Sequence, residues 1–79
     1  MKARLTVTLK AGVLDPQGKA IEGALAALGF SGVSGVRQGK IFDIDLVEVD
    51  AAKAEATLKA MGEKLLANTV IEDYRVELV

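Results

Sequence analysis

Between Ala3 and Leu9 the chain alternates strictly. Ala3, Leu5, Val7 and Leu9 are apolar, while Arg4, Thr6, Thr8 and Lys10 are polar. Successive side chains of a strand point to opposite faces, so this run predicts a strand with one buried face and one polar face. Such a strand needs a second layer over its apolar side, and only 79 residues are available to build it. That length makes one domain, residues 1–79, with a thin core, because chains of this size bury only about 60% of their unfolded surface. Small domains often add disulfides, metals or oligomerisation. The chain has no Cys and no His, which removes disulfides and imidazole ligands and leaves carboxylates and carbonyls for any ion. Oligomerisation is the route left open. The hydrophobic share of 51%, before eight glycines are added, suits either an interface or an alanine-rich core.

After the first strand, a loop through Gly12 leads to Asp15-Pro16. Asp can cap a helix there, and Pro suits the first helical position because its missing N–H would have no partner. Ile21, Ala24, Leu25 and Leu28 share one helical face, and Gly29 is placed to end the helix in a left-handed conformation, so a helix is expected from Pro16 to Leu28. Val33 to Gln38 reads as a strand interrupted by Gly35. Gln38-Gly39-Lys40 reads as a hairpin turn before a clearer strand, Ile41 to Val49. In that strand Phe42, Ile44 and Leu46 oppose Asp43 and Asp45, and the phase shift at Leu46-Val47 suits a bulge or a strand end. Asp50 caps a second helix, with Ala54, Leu58, Met61 and Leu65 on one stripe and Glu55, Lys59 and Glu63 on the exposed side. It should end near Ala67-Asn68, before a final strand from Val70 to Val79.

The order β-α-β-β-α-β belongs to the α+β class, with an antiparallel sheet carrying two helices on one face in a ferredoxin-like arrangement. The other sheet face would carry Thr6, Thr8, Asp43, Asp45, Arg75 and Glu77. Arg75 could pair there with Asp43 or Asp45, or the face could simply be solvated.

Ten Lys and Arg against eleven Asp and Glu give a net charge of −1 with no single-sign block, which points away from nucleic acid and anionic membranes. Met1-Lys2-Ala3-Arg4 is not followed by a continuous apolar run, so no signal peptide is expected, and no stretch is long and apolar enough to span a membrane. A cytoplasmic protein is expected. Covalent catalysis needs a nucleophile near a base, and with neither Cys nor His that machinery is missing. Gly29 to Gly35 is glycine-rich but lacks phosphate-loop spacing and follows a helix rather than opening one. Asp43 and Asp45 share a strand face, yet two carboxylates without further ligands read as a solvated or ion-paired face. Three aromatic residues in the whole chain exclude an RNA-recognition sheet. No catalytic, cofactor or metal residue is therefore assigned.

The run Thr6 to Ala20, with Val13-Leu14-Asp15-Pro16-Gln17-Gly18-Lys19 at its centre, is followed by Leu28-Gly29-Phe30, Val36-Arg37-Gln38-Gly39-Lys40 and Leu65-Leu66-Ala67-Asn68. Together these resemble the PurS family, the small subunit of bacterial phosphoribosylformylglycinamidine (FGAM) synthase, over essentially the whole chain. The resemblance implies a non-catalytic homodimer or higher oligomer in purine biosynthesis. It would bridge a glutaminase subunit (PurQ) and a large synthetase subunit (PurL), with ATP and Mg used by the synthetase and no cofactor bound by this chain. Partner contacts are expected from Leu14, Asp15, Pro16, Gln17, Gly18 and Lys19, with Arg37, Gly39 and Lys40. The same residues could equally serve only as a helix cap and a turn. Two alternatives remain: an ACT-like domain binding an amino acid beside Gly12, and a free-standing structural oligomer.

Overall fold

The computed structural model describes all 79 residues, Met1 to Val79. Strand β1 (Lys2–Leu9) is followed by helix α1 (Pro16–Ala27), strand β2 (Gly39–Asp45), helix α2 (Ala51–Met61) and strand β3 (Glu72–Leu78). A π-helical turn, Gly62–Leu66, extends α2. The three strands form one sheet in the order β2-β1-β3, and both outer strands run antiparallel to β1.

The alternation of β1 places Ala3, Leu5 and Val7 on the covered face, each 2% exposed or less. Leu5 stands opposite Phe42 on one side and Val76 on the other, so the central strand binds the apolar halves of both neighbours. Helix α2 packs across the β3 side of this face with Ala54 and Leu58 fully buried. Burying a leucine of this kind contributes about 1.5–3 kcal/mol, so Leu5 and Leu58 are the main anchors of a small core. Asp50 starts α2, its Oδ1 accepting the N–H groups of Ala52 at 2.9 Å and Lys53 at 3.1 Å.

The α+β class, the antiparallel sheet and both helices are present, with six local differences. Val33 to Gln38 forms no strand. A strand needs a ladder partner, and this segment instead lies along α1, entered through left-handed Gly29 and Gly32, with the Val36 carbonyl against Gly18. Gln38-Gly39-Lys40 is accordingly not a hairpin turn, because Gly39 already pairs with Thr8 in β2. At its other end β2 stops at Asp45, where the phase shift begins.

Helix α1 stands off the sheet rather than covering it, and Gly18 is its only buried residue. In α2 the expected stripe breaks at Leu65, which is 83% exposed. The π turn inserts one extra residue per turn, so the inward positions pass to Leu66 and Ala67. Finally, Arg75 lies on β3 with β1 between it and β2, out of reach of Asp43 and Asp45. Asp43 is held by Arg4, Nε to Oδ1 at 2.9 Å, and Arg75 sits 3.8 Å from Glu77.

Because Thr8 pairs with Gly39, residues 10–38 leave and re-enter the sheet at the same end and form a projecting arm built around α1. The molecule measures 48 × 25 × 15 Å, with a radius of gyration of 15.9 Å. A compact chain of this length would have about 12 Å.

Candidate functional site

The residues singled out in the sequence converge at the root of this arm. Asp15 caps α1 with Oδ1, which accepts the Gly18 N–H at 2.8 Å, while Oδ2 accepts the Gln38 N–H at 2.8 Å from the returning chain. Only 5% of Asp15 is exposed, so its charge is offset by backbone donors rather than by water. The Gln38 N–H and then the Gly18 N–H hold this carboxyl below the usual carboxylate range; burial opposes them, and the Arg37 charge adds to the lowering.

Gly18 is required by close approach. A Cβ there would overlap the Val36 carbonyl oxygen and come within 2.9 Å of Asp15 Oδ2. At the end of α1, Gly29 at φ +93° closes the helix, with its N–H donating to Ala26 and that of Phe30 to Leu25.

Arg37 completes the root from the other side. Its Nη1 donates to the Val13 carbonyl at 2.8 Å and its Nη2 to that of Lys10 at 3.0 Å, with Leu9 more distant at 3.5 Å. One guanidinium thereby binds three carbonyls of the outgoing chain, a task its planar fork suits. Asp15 and Arg37, both expected as contact residues, use their polar atoms in bonds within the protein, Asp15 buried and Arg37 on the exposed surface. Gly39 is exposed, although a Cβ there would approach the Val7 carbonyl oxygen to 2.7 Å.

Available to a partner are Leu14, 69% exposed, together with Pro16, Gln17 and Lys19. Lys40 is the fifth, its Nζ 4.0 Å from Glu72 on a rim that is open to water. Between Gln17 and Lys40 lies a shallow cavity of about 360 Å³, lined also by Val7, Leu9, Asp15 and Glu72. Nowhere do three acidic side chains approach closely enough to hold a metal ion.

The acceptors used by Arg37 are backbone carbonyls, which no residue identity announces. A second feature also went unread in the sequence, an apolar groove beside β2 lined by Ile41, Phe42, Met61 and Leu65. The exposed Leu65 that helps form it follows from the π turn, which has no plain sequence signal.

Residues 2–79 match the family PurS, phosphoribosylformylglycinamidine (FGAM) synthase. The chain belongs to the PurS family.

PurS is a subunit of FGAM synthase, a ligase of purine biosynthesis. The chain is 49% identical over 75 residues to the synthase subunit PurS of Mycobacterium leprae, covering 95% of this chain and 91% of that one. Among solved structures it is similar to PurS of Methanocaldococcus jannaschii, with a TM-score of 0.87 and 42% identity over 96% of this chain and 92% of the other. It is also similar to a chain of the PurLQS structure from Thermotoga maritima, with a TM-score of 0.90 and 32% identity over 99% and 95% of the two chains. Gly12 does occupy a left-handed turn, but the carbonyls flanking it, those of Lys10 and Val13, are taken by Arg37, which disfavours the ACT-like alternative.

Proposed function

We propose that this PurS-family chain is a non-catalytic adaptor that holds a glutaminase (PurQ) and an ATP-dependent synthetase (PurL) in a fixed mutual arrangement in the cytoplasm, acting as a homodimer or higher oligomer. The observation that carries this reading is the likeness, over 99% of the chain, to a subunit of an assembled PurLQS structure. Ammonia released at one site must reach another before bulk water protonates it, so two active sites that share it need a rigid spacer and an excluded path. A braced arm at the end of a three-stranded sheet suits a spacer. ATP and Mg belong to the synthetase in this scheme, and this chain supplies surface. The side chains left free at the arm root, Leu14, Gln17, Lys19 and Lys40, are the contact candidates. Asp15 and Gly18 shape that surface from within, and the exposed Arg37 and Gly39 border it.

Reconstitution tests the proposal. With PurL and PurQ supplied, addition of this chain should raise glutamine-dependent FGAM formation strongly while leaving ammonia-dependent formation by PurL near its starting rate. Full glutamine-dependent turnover without the chain would refute the adaptor role.

A further inference from the structure

On the flank of α1 that faces the returning segment, Lys19, Glu22, Gly23 and Ala26 recur at three- and four-residue spacing and form one continuous patch. Phe30, Ser31 and Gly32 border it and enclose a cavity of about 380 Å³. Two features of this patch have no explanation within one chain. The first is Gly23. It sits inside the helix, where glycine lowers the folding equilibrium roughly two- to fivefold relative to alanine. Its φ is not left-handed, and a Cβ added there would meet nothing within 4 Å. Gly18 of the same helix, by contrast, is kept bare by the Val36 carbonyl. The chain loses helix stability at Gly23 without gaining packing, and what glycine offers there is close access to the helix backbone from outside.

The second is Glu22. Its Oε2 is sealed from solvent yet accepts no hydrogen bond, and Lys19 Nζ stands 3.5 Å away on a side chain that is itself 67% exposed. A carboxylate oxygen withdrawn from water without a donor is costly, and a guanidinium supplies paired donors in the geometry a carboxylate accepts. Phe30, 59% exposed on the same cavity, offers a ring face to that cation. The N–H groups of Ser31, Gly32 and Val33 donate to no acceptor in the chain, so the carbonyls of an incoming loop find donors beside the carboxylate.

We propose that this cavity receives an arginine carried on a loop of one of the larger synthase subunits, its guanidinium between Glu22 and Phe30 and the loop backbone against Gly23. The Glu22 charge selects a cation, and the bare helix surface and open N–H groups select a polypeptide over a free ion. Lys19, on its exposed stem, turns outward to make room. The inference rests on the adaptor reading and gives it a contact on the flank of α1 opposite the apolar stripe of Ile21, Leu25 and Leu28.

The test titrates the fluorescently labelled full chain with PurL, with PurQ and with both, glutamine and ATP present, and reads binding by anisotropy. Glu22→Gln keeps the shape of the side chain and removes its charge, and should lower the affinity at least about tenfold. Gly23→Ala should raise the folded-to-unfolded ratio in denaturant roughly two- to fivefold and yet lower the same affinity at least as much, a combination that a purely structural glycine does not give. Self-association of both variants, read by light scattering, should match the wild type. Its loss would assign the cavity to a second copy and overturn the inference. Variants that bind the larger subunits as tightly as the wild type would overturn it too, leaving the adaptor reading intact. A wild-type chain that binds neither subunit would overturn both.

Discussion

The Asp15 carboxylate accepts the Gln38 N–H at 2.8 Å across 23 residues of chain, and so joins the outgoing and returning ends of the arm. Because the same carboxylate caps α1, helix start and arm closure depend on one ionised group.

Acid should therefore loosen the arm before the body. The folded carboxyl of Asp15 is depressed, so its contribution is fully present above the unfolded value of about 3.9 and is lost as pH falls through the lower folded value. Amide exchange at Gly18 and Gln38 should accelerate, relative to Leu5, once pH drops below about 4. An Asp15→Asn protein should show fast exchange at both amides already at pH 7, with little further change on acidification.

Lys19 and Lys40 lie on the exposed rim of the arm root, with ion-pair distances of 3.5 and 4.0 Å to Glu22 and Glu72. Both lysines are exposed but Glu22 and Glu72 are mostly covered, so charge reversal would set like charges together; removal of the charges in Lys19→Ala combined with Lys40→Ala should cost no more than about 1 kcal/mol in denaturant unfolding. If the rim meets a partner subunit, affinity for PurL should fall about tenfold, the equivalent of about 1.4 kcal/mol, measured by titration of the synthetase. Unchanged affinity would move the contact elsewhere.

Leu58 is fully buried on α2, and its truncation to Ala should cost about 2–5 kcal/mol in denaturant unfolding. Leu65, on the same helical stripe in the sequence pattern but 83% exposed, should lose far less stability on the same change. Similar losses of stability at the two positions would contradict the π-shifted register.

Gly62 lies against the Tyr74 ring, where an added Cβ would come within 2.9 Å of Cδ2 and Cε2. Ala has the better helix propensity by about 1 kcal/mol, but displacing a packed ring costs about 1–3 kcal/mol, so Gly62→Ala should be net destabilising. The ring is also tethered: Tyr74 donates its hydroxyl to Glu63 Oε1 at 2.9 Å, which raises the phenol above its ordinary value. That contribution holds below about pH 10 and is lost as pH rises through the folded value, so alkaline unfolding of Tyr74→Phe should lack this component.

The legible parts of this fold were those written in side-chain periodicity and caps. The alternation of β1, the Asp15-Pro16 start, the Gly29 stop and the Asp50 cap all act through local physics, and each stands where expected. The strand expected at Val33 to Gln38 had suitable residues but no free ladder within the chain, and pairing is a property of neighbours rather than of a segment. The bonds that Asp15 and Arg37 make within the chain were not legible because their partners are backbone atoms, invisible in a string of side chains. The apolar groove was missed because it depends on the phase of α2, which one turn of wider winding changes.

A π turn holds one residue more than regular α winding, so removing one residue between Gly62 and Leu66 would restore that winding and carry Leu65 inward. A change of length, rather than of residue type, would then close the groove, and no single substitution has the same reach. The groove therefore rests on the spacing between Leu58 and Ala67 as well as on the residues that line it.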